Sequence, residues 1–289
     1  MAMLWSKLDT IRRDTVARTT PWIRRDAGDC KMMVNATPST RRGPVGSGDT
    51  IIALSPHRRP AKAVGFPDGN REPAPELTRK LFKIRFADSE GRRRSASFLV
   101  QRRYAWRGYQ IDGPASMEPT RITLSAYDGD EVVATISVGL DSSNDLFVNA
   151  LFGDEVDSLR ARGRKVCEFT KLAIEGAIKS QAVIAALFHT AYIHARRIYS
   201  CTDLVVEVNP RHVLFYKRML GFTTLGPTRV DPRVEAPATL LHLDLRHAED
   251  EIGRLGGKPE LAAQGRSLYP YFFSPKDEAG IERRLRVFG

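Results

Sequence analysis

Cysteine is scarce in this chain, and long apolar runs are missing. The three cysteines, Cys30, Cys167 and Cys201, show no CxxC spacing and leave an odd count, so neither a disulfide framework nor a zinc ribbon is expected. No apolar run approaches the length of a membrane span, and the charged Asp9 and Arg12 fall where a signal peptide needs its apolar segment. These absences indicate a soluble protein with free thiols, and we expect it to be cytoplasmic.

Acidic residues are fewer than basic residues. The chain has 34 Asp and Glu and 45 Lys and Arg, which gives a formal net charge of +11. A basic surface of this size suits nucleic acid, anionic lipid or an acidic protein. The chain has no helix-turn-helix, zinc-finger or RNP pattern, so nucleic acid is not the expected partner. A non-catalytic binding module with a nucleic-acid-contacting basic tail is kept as an alternative. His189 and His194 are five residues apart, not the four that places two ligands on one helix face, so no metal site is predicted.

The residues that are present divide the chain into three segments. Residues 1–75 are rich in Pro, Gly, Arg, Ser and Thr and predict a basic, largely disordered tail, whose amphipathic start could contact a membrane surface. Residues 76–246 alternate strand and helix patterns and form the expected folded domain. Residues 247–289 predict a C-terminal arm with a short helix and the aromatic cluster SLYPYFFSP. This arm either docks on the domain or covers its site as a lid.

The strongest local signal is the stretch 203–222, which reads DLVVEVNPRHVLFYKRMLGF. Its first part is a β-branched run that predicts a buried strand. Asn209 then offers a helix N-cap, and Pro210 suits the first helical position. Apolar residues recur at helical spacing as far as Leu220, and Gly221 is placed to end the helix. The stretch therefore predicts a strand, a capped turn, a helix and a glycine stop.

The elements around this stretch predict a mixed α/β sheet with helices on both faces. Strand patterns cover 81–87, 166–174 and 238–245, and the runs 121–126 and 131–140 flank an Asp-Gly hairpin turn. Helix patterns cover 90–109, 154–161 and 180–199.

This order of elements, with a strand ending at Asn209 and a helix ending LGF, resembles the GNAT acyltransferase superfamily. Asn209 and Tyr216 match its N-x-x-A-x-x-x-Y-x-x-x-G-F pattern at a separation of seven, while His212 replaces the small residue and Leu220 is inserted before the glycine. Four segments are similar to N-acyl amino acid synthases of the FeeM type: CEFTKLAI (167–174), LFHTAY (187–192), EVNPRHVLFYKRMLGF (207–222) and APATLLHLDL (236–245). EFTKL also resembles the E-x-S-R-F element of acyl-homoserine-lactone synthases.

The resemblance covers about 80–245 and implies both a fold and an activity. The implied fold is GNAT-like. The implied protein is a bacterial acyltransferase that moves a long-chain fatty acyl group from acyl carrier protein to the α-amine of an amino acid. Its partners would then be an acyl carrier protein and an amino-acid substrate.

A physical argument favours a carrier-protein donor over coenzyme A. The pyrophosphate of coenzyme A needs a turn of backbone N–H groups at a helix N-terminus, written Q/R-x-x-G-x-G/A. The segment where this turn should lie, 175–180, reads EGAIKS, with one glycine and an acidic residue. The acyl-phosphopantetheine arm of a carrier protein has one phosphodiester and needs less of a cradle. We expect no bound cofactor, and keep an acyl-CoA- or acetyl-CoA-dependent N-acetyltransferase as the alternative.

Amide formation from a thioester needs a neutral amine near the carbonyl and donors for the oxyanion. Glu168 is the first candidate for the base, because a carboxylate within the apolar run VCEFTKLAI is costly to bury for packing alone. The alternative is a structural ion pair with a neighbouring Arg. Thr170 shares the strand face of Glu168, whereas Lys171 points to the opposite face unless a bulge intervenes. The resemblance implies a thioester or phosphopantetheine contact for Lys171, with Thr170 beside it.

Four further candidates lie on the helix of the central stretch or at its start. The GNAT resemblance implies that Tyr216 protonates the leaving thiolate, and a core tyrosine is the alternative. Asn209 is either a helix cap or a substrate ligand. Arg211 and His212, in the first helical turn, could meet an anionic group of substrate or carrier.

Two basic clusters could act outside the strands. Arg102 and Arg103 could hold the acceptor's carboxylate bidentately. Together with Arg107 they could instead steer an acidic carrier. The same steering role is open to a second cluster, made of Arg160, Arg162, Arg164 and Lys165. A solvated basic face is the alternative for either cluster.

Overall fold

The computed structural model describes residues 50–54, 82–105, 121–142, 146–176 and 180–288. Arg107 and most of the tail expected over 1–75 lie outside these ranges. The described strands are β1 (Ile52–Leu54), β2 (Phe82–Phe86), β3 (Arg121–Asp128), β4 (Glu131–Leu140), β5 (Val166–Ile174), β6 (Asp203–Val208), β7 (Thr223–Thr224), β8 (Arg229–Asp231) and β9 (Ala236–Asp244). The described α-helices are α1 (Glu90–Ala105), α2 (Asn149–Ala161), α3 (Gln181–Tyr192), α4 (Pro210–Leu220), α5 (Leu245–Leu255) and α6 (Pro275–Phe288). None of these helices is both long and apolar enough to cross a membrane.

The strands form one mixed sheet in the order β1-β2-β3-β4-β5-β6-β9-β7, with β8 paired to β9. Every neighbouring pair is antiparallel except β5 and β6, which run parallel. The β3–β4 hairpin turns at Gly129, whose φ of +63° favours glycine and matches the Asp-Gly turn predicted from the sequence. The sheet therefore places its single parallel pair near its middle.

Helices cover both faces of the sheet, as predicted. On one side, here the α3 face, α3 and α4 pack on the strands through a large core that includes Leu187, Ile136 and Leu220. On the other side, here the α2 face, α2 packs Phe152 against strands β6 and β9, and α1 forms a smaller cluster around Leu99. The two helical layers leave the central strands buried on both faces.

The C-terminal residues belong to the same core. Leu268, Phe272 and Leu285 are buried in the cluster that also contains the central strands and α3. Helix α5 starts at Leu245, before the position 247 at which the arm was expected to begin. The expected domain limits also leave β1 within the tail segment, although Ile52–Leu54 pairs with β2 at the edge of the sheet.

Candidate active site

The parallel strands β5 and β6 separate after a short paired segment. Their register joins Val166 to Asp203, Cys167 to Leu204 and Glu168 to Val205, and goes no further. Strand β5 nevertheless continues to Ile174 and β6 to Val208. The gap between the two strands beyond Glu168 and Val205, called the cleft below, opens at their carboxyl ends. Open α/β sheets place ligands at this kind of position.

A β-bulge reshapes the β5 side of the cleft. The β4–β5 register shifts by one residue between the pairs Ser137–Thr170 and Thr135–Ala173. Within this shift Lys171 has a left-handed backbone, with φ of +51°. The extra residue breaks the alternation of the strand, so the Lys171 ammonium lies 5.5 Å from the centre of the Phe147 ring, on the α2 face. The condition stated for Lys171 in the sequence, an intervening bulge, is met.

Glu168 lies at the apex of the cleft in a buried ion pair with Arg121. Its side chain is fully buried, and its Oε1 accepts a hydrogen bond from Arg121 Nη2 at 2.6 Å. The backbone N–H groups of Phe147 and Val148 donate to the same carboxylate at 2.8 and 3.1 Å. The structure therefore shows the ion pair that the sequence left open as an alternative for Glu168. Phe147 and Val148 directly precede α2, at the end of the helix where the dipole favours a negative charge.

Arg121 reaches Glu168 across an intervening strand. The register places Arg121, Gly139 and Glu168 in one row over β3, β4 and β5. A Cβ at Gly139 would lie 2.7 Å from Arg121 Nη1, so the guanidinium crosses β4 only because this residue has no side chain. The same guanidinium lies 3.7 Å from the centre of the Phe147 ring and donates to Thr170 Oγ1 at 3.3 Å. Thr170 and Glu168 thus share the α2 face, as predicted.

Tyr216 lies on the other side of the sheet, on the α3 face. Its ring makes edge contacts with Phe188 at 6.1 Å and with Phe222 at 5.3 Å, and Phe188 in turn contacts Phe169 of β5 at 6.4 Å. Burial raises the pKa of Tyr216 well above its usual value, and the nearby Tyr104 adds to this shift. The phenol is therefore protonated at neutral pH and sits in an aromatic wall beside the cleft.

The start of α4 borders the β6 side of the cleft. Asn209 accepts a hydrogen bond from Arg211 N at 3.2 Å, so its side chain acts as the N-cap. Arg211 Nε lies 3.2 Å from His212 Nε2 on the exposed surface of this turn. Gly221 ends the helix with φ of +80°, as the sequence predicts.

The two basic clusters lie at opposite ends of β5. Arg102 forms an ion pair with Glu175, and the Arg103 guanidinium lies close to the side of Gly176 where a Cβ would be, just beyond the carboxyl end of the strand. The second cluster precedes the first residue of β5, and two of its arginines are held in ion pairs. Only the pair Arg102–Arg103 therefore adjoins the open end of the cleft.

The structure adds three charged residues that were not singled out in the sequence. Glu207 lies on β6, on the same face as Val205, and both of its oxygens lie within 3.0 Å of Arg233 Nη2. Arg233 also binds Asp231 and donates to the carbonyl of Phe147 at 3.3 Å. A carboxylate within the apolar run DLVVEV is the same signal that pointed to Glu168, so Glu207 could have been found. Asp231 and Arg233 carried no such signal, because only the β8–β9 turn brings them to β6.

Burial and a neighbouring carboxylate determine the protonation of Glu207. Burial raises the pKa of Glu207 to about 7; the Arg233 charge opposes the rise, and the hydrogen bond that protonated Glu207 donates to Asp231 reinforces it. Burial works in the same direction on Asp231, but its hydrogen bonds with Arg233 outweigh it and leave the pKa of Asp231 lowered. One guanidinium thus serves two carboxylates, and Glu207 is the one that gains or loses a proton near neutral pH.

Comparison with known proteins gives two kinds of match. A family model described as "N-acyl amino acid synthase FeeM" matches residues 95–244, just over half of the chain. No curated protein matches the chain. Among solved structures, FeeM, an N-acyl amino acid synthase from uncultured soil microbes, shares 25% identity at a TM-score of 0.52, covering 58% of this chain and 93% of that one. An N-acetyltransferase structure from Lactobacillus plantarum shares 18% identity at a TM-score of 0.42, covering 57% and 98%. The acyl-homoserine-lactone synthase LasI shares 11% identity at a TM-score of 0.40, covering 57% and 90%.

Proposed function

Because this chain belongs to the family of FeeM-type N-acyl amino acid synthases, we propose that it transfers a long-chain fatty acyl group from an acyl carrier protein to the α-amine of an amino acid. The chain is an acyltransferase. The observation that carries the finer proposal is the cleft between β5 and β6. On the α2 face the cleft has a charged wall, formed by Arg121 over Phe147 and the charged side chains beside them, and on the α3 face it has an aromatic wall that includes Phe188 and Tyr216. A polar acceptor and an apolar acyl chain need two such walls.

The carrier-protein donor is supported by the turn that follows β5. The backbone N–H of Gly176, the one glycine in 175–180, donates to the Glu175 carboxylate at 3.1 Å, so it is not offered to a phosphate. The Glu175 carboxylate also adds negative charge where a pyrophosphate would need positive charge. Arg102 and Arg103 beside this turn suit the single phosphodiester and the acidic surface of a carrier.

In the proposed reaction the thioester carbonyl lies in the cleft and the acyl chain extends along the α3 face. The acceptor amine approaches from the α2 face, where the charged side chains around Phe147 hold an amino acid by its charged groups. Tyr216 donates a proton to the leaving thiolate, which its protonated phenol can do at neutral pH. Lys171 contacts the thioester or the phosphopantetheine arm, and Arg211 and His212 contact an anionic group of the donor.

Glu168 has a positioning role in this proposal. Its carboxylate accepts hydrogen bonds from Arg121, Phe147 and Val148, which hold it in a fixed orientation. Through these bonds Glu168 fixes the start of α2 and the guanidinium that lies over Phe147. It therefore orders the charged wall of the cleft, in agreement with the ion-pair alternative from the sequence.

The test is a donor comparison with the purified protein. Acyl carrier protein loaded with a long-chain acyl group, the same acyl group on coenzyme A, and acetyl-CoA are each incubated with a mixture of amino acids. We expect N-acyl amino acids by mass spectrometry, with the highest kcat/KM for the carrier-bound donor. The Tyr216→Phe variant should form product more slowly, because the thiolate that leaves the acyl donor then has no proton donor. Acetylated product from acetyl-CoA, with none from the carrier-bound donor, would overturn the proposal.

A further inference from the structure

The proposed function gives Glu168 a positioning role, so the acceptor's proton needs a destination other than this carboxylate. An amino-acid ammonium must lose a proton before its nitrogen can attack a carbonyl. Glu168 accepts at least three hydrogen bonds within the fold and is ion-paired with Arg121, so its carboxylate is already engaged. A different acceptor for this proton is needed within reach of the charged wall.

Glu207 occupies the corresponding place on the other strand of the cleft. Val205 is the last residue of β6 that pairs with β5, and Glu207 follows it on the same face, beyond the point where the strands part. Arg233 links Glu207 to the carbonyl of Phe147, whose N–H binds Glu168. The two carboxylates thus lie on either side of Phe147: Glu168 is at the apex of the cleft and Glu207 is towards its opening.

The charges around Glu207 favour a cation. Glu207 and Asp231, the carboxyl pair, share one guanidinium from Arg233, which leaves one negative charge in excess when both carboxylates are ionised. The charged groups that act on Glu207 are Asp231, the last residue of β8, and Arg233 in the β8–β9 turn. Arg121 and Lys171 lie over the Phe147 ring. When the acceptor amino acid binds, its ammonium group would take the place of the proton that Glu207 and Asp231 otherwise share.

We infer that Glu207, with Asp231 as its partner, is the general base of the cleft: it binds the ammonium group of the acceptor and takes one of its protons. This inference rests on the proposed function. The nearly neutral pKa of Glu207, about 7, matches the pH at which a general base is most effective.

The proton and electron balance is complete without any further reactant. The ammonium gives its first proton to Glu207, and the neutral nitrogen attacks the carbonyl carbon, so that a C–N bond forms and an oxyanion develops. The C–S bond then breaks, the nitrogen loses its second proton, and the thiolate takes a proton from Tyr216. Glu207 returns its proton to solvent, and the second nitrogen proton restores Tyr216. Each turnover yields one amide, one thiol and one released proton.

The first test is the pH dependence of kcat/KM for the amino acid, with long-chain acyl carrier protein as donor. The wild type should rise to a plateau above about pH 7, while Glu207→Gln should lose about 10²-fold at pH 7. The defect of Glu207→Gln should shrink at higher pH, because free amine then forms in solution without a base. Asp231→Asn should keep Glu207 as the base and move the rise in kcat/KM to lower pH, since the Asp231 charge, which helps to raise the pKa of Glu207, is gone. A Glu207→Gln defect that stays constant across the pH range would show a merely structural role and overturn the inference.

The matched control is Glu155→Gln. Glu155 pairs with Arg229 on β8 as Glu207 pairs with Arg233, and the exposed fractions of the two carboxylate side chains are 14% and 15%. Glu155→Gln should leave kcat/KM and its pH dependence unchanged.

A second readout needs no substrate. Titration of Glu207 by carbon-detected NMR in the resting protein should show protonation near pH 7, and an ordinary carboxyl titration would overturn the inference. If the wild type makes no N-acyl amino acid, the proposed function fails and this titration still decides the state of the carboxyl pair. If the wild type is active and Glu207→Gln equals it at every pH, the inference fails alone.

Discussion

At the scale of single residues, the charged wall depends on a side chain that is missing. Gly139 lies between Arg121 and Glu168 in the row across three strands, and the guanidinium fills the space above it. A buried ion pair stabilises a protein only when its geometry and its other hydrogen bonds are good. Here one glycine provides that geometry, because any side chain at position 139 would separate the two charges.

Gly139→Ala is therefore expected to disturb both stability and activity. The new Cβ would lie 2.7 Å from Arg121 Nη1, so the guanidinium must move away from Glu168. We expect a loss of about 1–3 kcal/mol in the free energy of unfolding, as for other overpacked cores. The kcat/KM should fall together with stability, and both can be measured by urea unfolding and by acyl transfer.

Gly153→Ala in α2 is the control for this substitution. A Cβ at Gly153 meets nothing within 4 Å, and alanine favours the helix. It should leave activity unchanged and stability equal or slightly higher. Equal effects of the two substitutions would show that Gly139 has no special role under Arg121.

Single residues also show how far the sequence could predict the site. Asn209, Pro210 and Gly221 act as predicted because helix caps depend on local backbone geometry. The ion pair of Glu168 could be stated only as an alternative, because its partner Arg121 is 47 residues away and is aligned by two strand registers. Glu207 carried the same signal as Glu168 but needed the β8–β9 turn to gain its charged neighbours.

At the scale of elements, the GNAT-like fold predicted from the sequence is confirmed. The strand predicted over 166–174 begins and ends at those residues, and the hairpin turns at Gly129. The bulge at Lys171 was stated only as a condition, because register depends on partner strands rather than on local propensity. Strand β1 and the start of α5 were missed because each depends on tertiary pairing or packing.

The C-terminal element is expected to be required for folding. Six buried side chains from this segment fill the shared core: Leu268, Tyr269, Phe272, Phe273, Ile281 and Leu285. His189 is stacked between two of them, Phe272 and Phe273, and accepts a hydrogen bond from the Phe273 N–H at 2.9 Å. Deleting 265–289 removes these contacts, each worth about 2–5 kcal/mol, which together exceed the stability of a typical domain. The truncated chain should lose its cooperative thermal transition, measured by circular dichroism.

Deleting only 287–289 is the matching control, because Val287 is 77% exposed. This shorter deletion should keep the transition within a few degrees of the full chain. A soluble, cooperatively folding product of the longer deletion would contradict the shared core. It would also return the segment to the role of a separate lid, the alternative stated from the sequence.

At the scale of the whole molecule, buried histidines make stability depend on pH. His194 is 1% exposed, and neither ring nitrogen has a hydrogen-bond partner within the described residues. Burial lowers the pKa of His194 to about 4, so the folded protein binds fewer protons than the unfolded chain between that value and about 6.5. The stability from this group is therefore present above pH 6.5 and is lost as the pH falls towards 4.

His194→Leu should remove this part of the pH dependence. From His194 alone, the wild type should lose about 2 kcal/mol of unfolding free energy between pH 7 and pH 5, and the variant should not. Glu207 changes stability in the opposite direction between its unfolded and folded pKa values, but it does so in both proteins and cancels in their comparison. Urea unfolding at the two pH values measures the difference. Parallel losses in the two proteins would mean that His194 is not the group that titrates.

The positive charge of the molecule should matter mainly at one end of the cleft. Arg102 and Arg103 adjoin the turn after β5, where the proposed function places the acyl arm of a carrier, whereas Arg162 and Lys165 are exposed before the first residue of the same strand. The double variant Arg102→Glu/Arg103→Glu should lower kcat/KM for the carrier-bound donor roughly 10-fold at low salt, because steering of an acidic partner is lost. The difference from wild type should shrink as salt screens both proteins.

Arg162→Glu/Lys165→Glu changes the net charge equally and should alter kcat/KM less than about twofold, since charges at that end do not face the docked carrier. Equal losses in the two double variants would show that the carrier responds to net charge alone and does not dock beside Gly176.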